Sequence, residues 1–190
     1  ITMAELKKVK FGTMMVTEVC AGTMTWGSFN TKEEAFAQLD KLFELGVNFY
    51  DTAELYPVAF NYGQETERIL GEWMKDKRDQ IYIATKVNPS GVGSLGEPHS
   101  FEEEHVVEAC RQSLERLQTT YADLYQLHWP SRHGNEVFGW ASYAHSFNGT
   151  SSGEQAVFER QVLAIKKLFE LKMIRNWGLS NENAYGVTMF

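Results

Sequence analysis

Short apolar, β-branched runs alternate along this chain with longer segments whose apolar residues recur three and four positions apart. The runs Val47–Asp51, Ile81–Val87, Ala122–His128 and Ile174–Ser180 read as strands, and an earlier one, 19–24, opens the series. Each is followed by a helix pattern or the first residues of one, which makes five consecutive strand–helix starts. Strands joined through helices pair in parallel by right-handed crossovers, and their unbroken apolar character fits a sheet covered on both faces. Two architectures satisfy this: a doubly wound open sheet, or part of a (β/α)8 barrel. A doubly wound nucleotide fold carries a glycine-rich fingerprint in its first strand-to-helix turn. Ala21-Gly22-Thr23-Met24-Thr25-Trp26-Gly27 is not that fingerprint, so the barrel is favoured.

Local signals fill in the elements. Residues 6–10 and 15–19 read as a hairpin turning at Gly12-Thr13. Thr31-Lys32-Glu33-Glu34 is a capping box, and the helix it opens carries Ala35, Leu39, Leu42 and Phe43 on one face. A helix over 65–75 presents Ile69, Leu70 and Trp73, and one over 101–117 presents Val107, Cys110, Leu114 and Leu117. A helix over 154–171 presents Val162, Ile165, Leu168 and Phe169. The aperiodic stretch Ser131–Gly153 reads as a long loop, of the kind that carries function when it is not disordered. Its aromatics Phe138, Trp140, Tyr143 and Phe147 either wall a pocket or pack the loop against itself.

Bulk properties exclude several classes. The chain has 190 residues, 43% hydrophobic and 23% charged, with a net charge of −7. That balance, without a dense basic run, argues against nucleic acid as a partner. No stretch approaches the ~18 apolar residues of a membrane span. Cys20 and Cys110 lie far apart, match no metal spacing and read as core, which points to a reducing, cytoplasmic setting. Glu102-Glu103-Glu104-His105 reads as acids at a helix start, where the dipole favours them, and no metal site is expected.

In a barrel, the C-terminal strand ends bring catalytic residues to one rim. Here the strand-like runs end in Asp51, Lys86, His128 and Ser180-Asn181, each polar after an apolar run, with Tyr56 on the loop past Asp51. A tyrosine ionises near pH 10, and a neighbouring ammonium lowers that value. Lys86 can supply the charge and Asp51 can hold it, while His128 can hydrogen-bond a substrate oxygen. The set suits protonation of a developing alkoxide by Tyr56. It supplies no hydride, so an organic redox cofactor is needed.

At this point the chain resembles the aldo-keto reductase superfamily. Asp51-Thr52-Ala53-Glu54-Leu55-Tyr56, with Gly63-Gln64-Glu65-Thr66-Glu67 and Leu70-Gly71, resembles its first signature. Ser113 to Leu117 with Tyr121 to Pro130, and Ile174 to Asn181, resemble two further regions. Gly22-Thr23-Met24-Thr25-Trp26-Gly27, Tyr56-Pro57-Val58 and His128-Trp129-Pro130-Ser131-Arg132 look most like the Tas-type branch. The resemblance implies a (β/α)8 barrel with a hairpin closing its bottom, and an oxidoreductase that reduces aldehydes or ketones with NADP(H). It implies Asp51, Tyr56, Lys86 and His128 as the catalytic set and Tyr56 as general acid. Gly22, Thr23, Asp51, Ser180 and Asn181 match cofactor-binding positions, and Trp26 and Trp129 are candidates for the substrate pocket.

The family pattern continues through strands six to eight and a basic segment that grips the cofactor's adenosine phosphate. The expectation is therefore a single domain over residues 1–190, truncated on its C-terminal side, with five β/α units and weak NADPH binding by itself. Two other functions compete with the reductase. One is a low-turnover NADP(H)-binding sensor or regulatory subunit of the same fold, or an inactive fragment of it. The other is a hydrolase or lyase barrel using Asp51 and Glu54 as paired carboxylates, which would leave Lys86 and Tyr56 unexplained.

Overall fold

The computed structural model describes residues 6–57, 63–88, 101–130 and 151–190. The first element is a hairpin of β1 (Lys8–Phe11) and β2 (Met14–Thr17), antiparallel with Phe11 opposite Met14. Gly12 makes its turn at φ 59, where an L side chain is strained. A Cβ there would also strike the Asn176 side chain, which accepts from the Thr13 amide at 3.0 Å. The hairpin is thus tied to the far end of the sheet.

Seven further elements alternate as the sequence pattern requires, up to the fourth sheet strand: β3 (Ala21–Gly22), α1 (Lys32–Glu44), β4 (Phe49–Asp51), α2 (Glu65–Trp73), β5 (Tyr82–Val87), α3 (Glu103–Arg116) and β6 (Leu124–Leu127). They continue with α4 (Ser151–Glu170), β7 (Trp177–Leu179) and α5 (Ala184–Met189). The five strands β3 to β7 are parallel and lie in sequence order. A doubly wound sheet reverses direction at a switch point; this order does not reverse. The sheet is the winding of a (β/α)8 barrel across five of its units.

Register decides which side chains meet. Asp51 pairs with Ala84, Lys86 with Gln126, and Gln126 with Gly178, all on the concave side. Tyr50 beside Ile83, and Thr85 beside Tyr125, face outward and are fully buried under helices. One outer cluster sets Tyr50 and Ile83 against Leu39, Leu70 and Trp73. A second sets Tyr125 and Leu127 against Val106, Cys110, Leu114, Ile165 and Leu168. Each such buried leucine contributes about 1.5–3 kcal/mol relative to exposure. The hairpin fills the concave side at its lower end, where Met14 and Val16 meet Ala84 and Leu124.

The expected caps and faces are met in part. The box at Thr31 forms: its hydroxyl accepts from the Glu34 amide at 3.2 Å and the Glu34 carboxylate accepts from the Thr31 amide at 2.9 Å. In α3 it is Val106 that is buried, with Val107 only partly so. The inward face of α4 runs through Phe158, Gln161, Ala164, Ile165 and Leu168, and Phe169 is exposed. The helix begins at Ser151, inside the stretch expected to be loop. Residues 131–150, with Phe138, Trp140, Tyr143 and Phe147, lie outside the described residues. Among the described residues no helix is long and apolar enough to cross a membrane.

Candidate active site

The chemistry-bearing residues meet at the upper rim of the concave face. Asp51 is the last residue of β4, and Lys86 is the penultimate residue of β5 on the same side. Lys86 Nζ donates to Asp51 Oδ2 at 2.7 Å and to the Thr52 carbonyl at 2.8 Å. Gln126, the strand neighbour of Lys86, reaches the other carboxylate oxygen, Oδ1, at 3.4 Å. The Lys86 side chain is 6% exposed and that of Asp51 is 30% exposed, so the pair lies at the border between core and solvent.

Beyond β4 the chain stays pinned to β5. The Thr52 amide donates to the Ala84 carbonyl at 2.9 Å and the Glu54 amide to the Lys86 carbonyl at 3.2 Å. A turn, in which the Tyr56 amide donates to the Ala53 carbonyl at 3.1 Å, then lays the Tyr56 ring over Lys86. The ammonium stands 5.0 Å from the ring centroid. His128 follows β6 directly, its amide held by the Val87 carbonyl at 2.9 Å. Its imidazole meets Tyr56 edge to face with centroids 5.7 Å apart, and Trp129 stacks with it at 6.0 Å. Asp51, Tyr56, Lys86 and His128 therefore converge, from three adjacent strand ends.

The electrostatics depart from the expectation at Tyr56. The phenol is pushed up to about 12, first by burial and then by the Asp51 charge. Lys86 does not draw it down in this state. Its ammonium sits over the ring face and is already paired with Asp51 and the Thr52 carbonyl. His128 is pushed down to about 3 by burial and then by Lys86, which keeps the imidazole neutral. Its Nδ1 is buried without a hydrogen-bond partner among the described residues, as are Thr52 Oγ1 and Asn88 Oδ1. Unpaired buried polar atoms cost about 1–3 kcal/mol each; Tyr125 Oη, on the outward face, is another among the described residues, and the His128 nitrogen is the one that stands beside Tyr56.

The remaining sequence candidates divide. Gly22 ends β3 beside Asp51, and among the described residues nothing lies within 4 Å of where its Cβ would be, which leaves room for a ligand against the backbone. Thr23 is buried, and both its amide (3.1 Å) and its hydroxyl (2.9 Å) donate to the Asp51 carbonyl, so it positions Asp51. Asn181 adopts φ 55 after β7, and its side-chain amide donates to the His128 carbonyl at 2.9 Å and to Ser180 Oγ at 3.1 Å. Gly22, Ser180 and Asn181 thus present open backbone and polar atoms on either side of the rim. That fits the amide and ribose face of a nicotinamide dinucleotide. Trp26 is not brought to the rim: it is 3% exposed, sits in the first outer cluster, and its indole donates to Gln38 at 3.1 Å. Cys20 is exposed rather than core, while Cys110 is buried. The Cys20 thiol is held up at about 12 by desolvation and then by the Asp51 charge, with Lys86 acting against them.

Sequence reasoning missed the groups behind the rim. Gln126 was findable, because it stands two residues before His128 on a strand and faces the same way. A buried ion pair, Glu67 with Arg116 at 2.6 Å, lies on the opposite side of β5, where the Thr85 hydroxyl also donates to Glu67 at 2.5 Å.

Comparison with known proteins agrees with this fold. The family model for the aldo/keto reductase family matches residues 18–189, and the chain belongs to that family. The Tas protein of Escherichia coli (strain K12) is 34% identical over 190 residues, covering 96% of this chain and 54% of Tas. Methylglyoxal reductase YeaE of the same organism is 30% identical, covering 92% of this chain and 49% of its own. Among solved structures, the holo form of an aldo-keto reductase from Bacillus halodurans superposes with a TM-score of 0.72 at 30% identity, over 96% of this chain and 53% of that one. An aldo-keto reductase from Klebsiella pneumoniae in complex with NADPH gives 0.69 at 26% identity, over 97% and 52%. The chain spans about half the length of the relatives it matches.

Proposed function

We propose that this chain carries the reacting half of an NADP(H)-dependent reductase of aldehydes and ketones, acting in the cytoplasm. The observation that carries the reading is the convergence of Asp51, Lys86, Tyr56 and His128 at three adjacent strand ends. Gly22, Ser180 and Asn181 would hold the nicotinamide side of the dinucleotide, which supplies the hydride when bound. The protein's own groups handle the proton and the orientation. Tyr56 is fully protonated at neutral pH and is the proton donor to the carbonyl oxygen. Its high phenol value makes it a weak acid, so the Lys86 charge must act on the phenolate as it forms. Asp51 and the Thr52 carbonyl keep that ammonium in place. His128, a neutral imidazole edge-on to Tyr56, donates a hydrogen bond to the same oxygen and fixes its position.

The phenol's value of about 12 also favours a second reading, an NADP(H)-binding subunit with little turnover. One assay separates the two. The full-length protein is mixed with NADPH and a panel of small aldehydes, and the nicotinamide absorbance is followed. Carbonyl-dependent loss of NADPH is the expected result. Binding without turnover favours the sensor, and failure to bind NADPH overturns both.

A further inference from the structure

Glu54 sits in the middle of the loop between Asp51 and Tyr56, and its residue is 5% exposed. A glutamate on a loop normally turns to solvent; this one turns inward. Its Oε1 accepts from the Asn88 amide at 2.6 Å. Asn88 follows the end of β5, two residues beyond Lys86. Three successive bonds therefore join this loop to β5: Thr52 amide to Ala84 carbonyl, Glu54 amide to Lys86 carbonyl, and Asn88 amide to the Glu54 carboxyl. The last replaces a missing backbone carbonyl with a side chain. It closes the ladder at the point where the chain turns to place Tyr56.

We propose that Glu54 is a positioning residue: its carboxyl clamps the end of β5 to the loop and so sets where Tyr56 stands relative to Lys86 and His128. The inference rests on the reductase reading for its kinetic consequence, but the clamp itself does not. The groups that act on Glu54 are the Asn88 amide, the Glu67–Arg116 pair from α2 and α3, and the Cys110 thiol of α3 and Tyr125 phenol of β6. Burial raises the carboxyl to about 7, so below neutrality the clamp accepts through a neutral acid. Glutamine presents the same carbonyl-type oxygen at the same reach. Alanine presents none, and aspartate is one methylene short.

The test uses Glu54→Gln, Glu54→Asp and Glu54→Ala in the full-length protein. Two readouts are independent of turnover. The first is amide-exchange protection of Asn88 by NMR. The second is the Tyr56 ring resonances, which respond to the ring current of His128 across their edge-to-face contact. Glu54→Gln is expected to keep both, and Glu54→Asp and Glu54→Ala to lose Asn88 protection and move the Tyr56 signals. In the carbonyl assay, Glu54→Ala should lower kcat about tenfold or more with KM within about twofold, since misplacing a reacting group costs up to about a hundredfold. Glu54→Gln should stay within about threefold of the parent. Unchanged Asn88 protection in Glu54→Ala, or loss of protection in Glu54→Gln, overturns the clamp. A parent protein that binds NADPH without turnover counts against the reductase reading alone, and the two NMR readouts still decide the clamp.

Discussion

Two ion pairs lie on opposite faces of β5, one residue apart in their anchor points, and they are built for different ends. On the convex side, Glu67 and Arg116 are 0% and 6% exposed and are held by further bonds: the Thr85 hydroxyl donates to Glu67, and Arg116 donates to Gln64 at 3.1 Å and Ser113 at 3.0 Å. On the concave side, Asp51 is 30% exposed, and the pair it makes with Lys86 adjoins a His128 Nδ1 and a Thr52 hydroxyl with no partner among the described residues. A buried charge pair tolerates desolvation only when its remaining donors and acceptors are met. The convex pair meets that condition and joins α2 to α3. The concave pair leaves atoms unmet around an opening, which is the arrangement of a site that expects a partner. Location on the same strand does not distinguish them; exposure does.

Substitutions on each face should separate chemistry from stability. Tyr56→Phe has the largest expected effect: carbonyl reduction falls by about a thousandfold or more in kcat, within the range removed with a general acid. Dissociation constants for NADPH and the unfolding midpoint should be unmoved, as equilibrium titration and calorimetry will show. Arg116→Met strands the fully buried Glu67 and should cost about 3–5 kcal/mol of stability in denaturant titration. Its folded fraction should still turn over.

Glu54 offers a pH test that lies between the two faces. Its folded value of about 7 stands above the ordinary 4.5, so the folded protein holds the proton more tightly than the unfolded one. The stability this gives is full below about 4.5 and is lost as pH rises through about 7. Midpoints for the parent protein should fall across that window relative to Glu54→Gln, in which the titration is gone. Equal slopes for the two proteins would remove the buried acid from the account. The smallest effect is expected at Thr31→Ala, far from both pairs, at about 1 kcal/mol from loss of the helix cap and with no change in kcat.

Much of this was legible in the sequence because strands end where their apolar character ends. Asp51, Lys86, His128 and Asn181 each follow such a run, and parallel order carries them to one rim. The capping box at Thr31 is wholly local, and it formed as read. What needs tertiary contact was less readable. The period of α4 puts Leu168 and Phe169 both on the inward face, and the packing against the sheet buries Leu168 and leaves Phe169 exposed. Trp26 lies in a glycine-bearing loop, as a pocket wall would, yet the space between α1 and α2 takes it into the core. Glu67 and Arg116 are 49 residues apart, and nothing in either segment announces the other. The position of the phenol is likewise a property of burial, which no spacing of Tyr56 and Lys86 conveys.

The contrast across β5 is tested most directly by measuring Lys86→Met and Arg116→Met side by side, for NADPH-dependent aldehyde turnover and for unfolding midpoint. Lys86→Met should lose turnover by about a hundredfold or more while its midpoint stays near the parent's, because the partly exposed Asp51 can be resolvated. Arg116→Met should do the reverse, with a lowered midpoint and turnover retained per folded molecule. Parallel losses of both quantities in both variants would contradict the assignment of chemistry to one face and structure to the other.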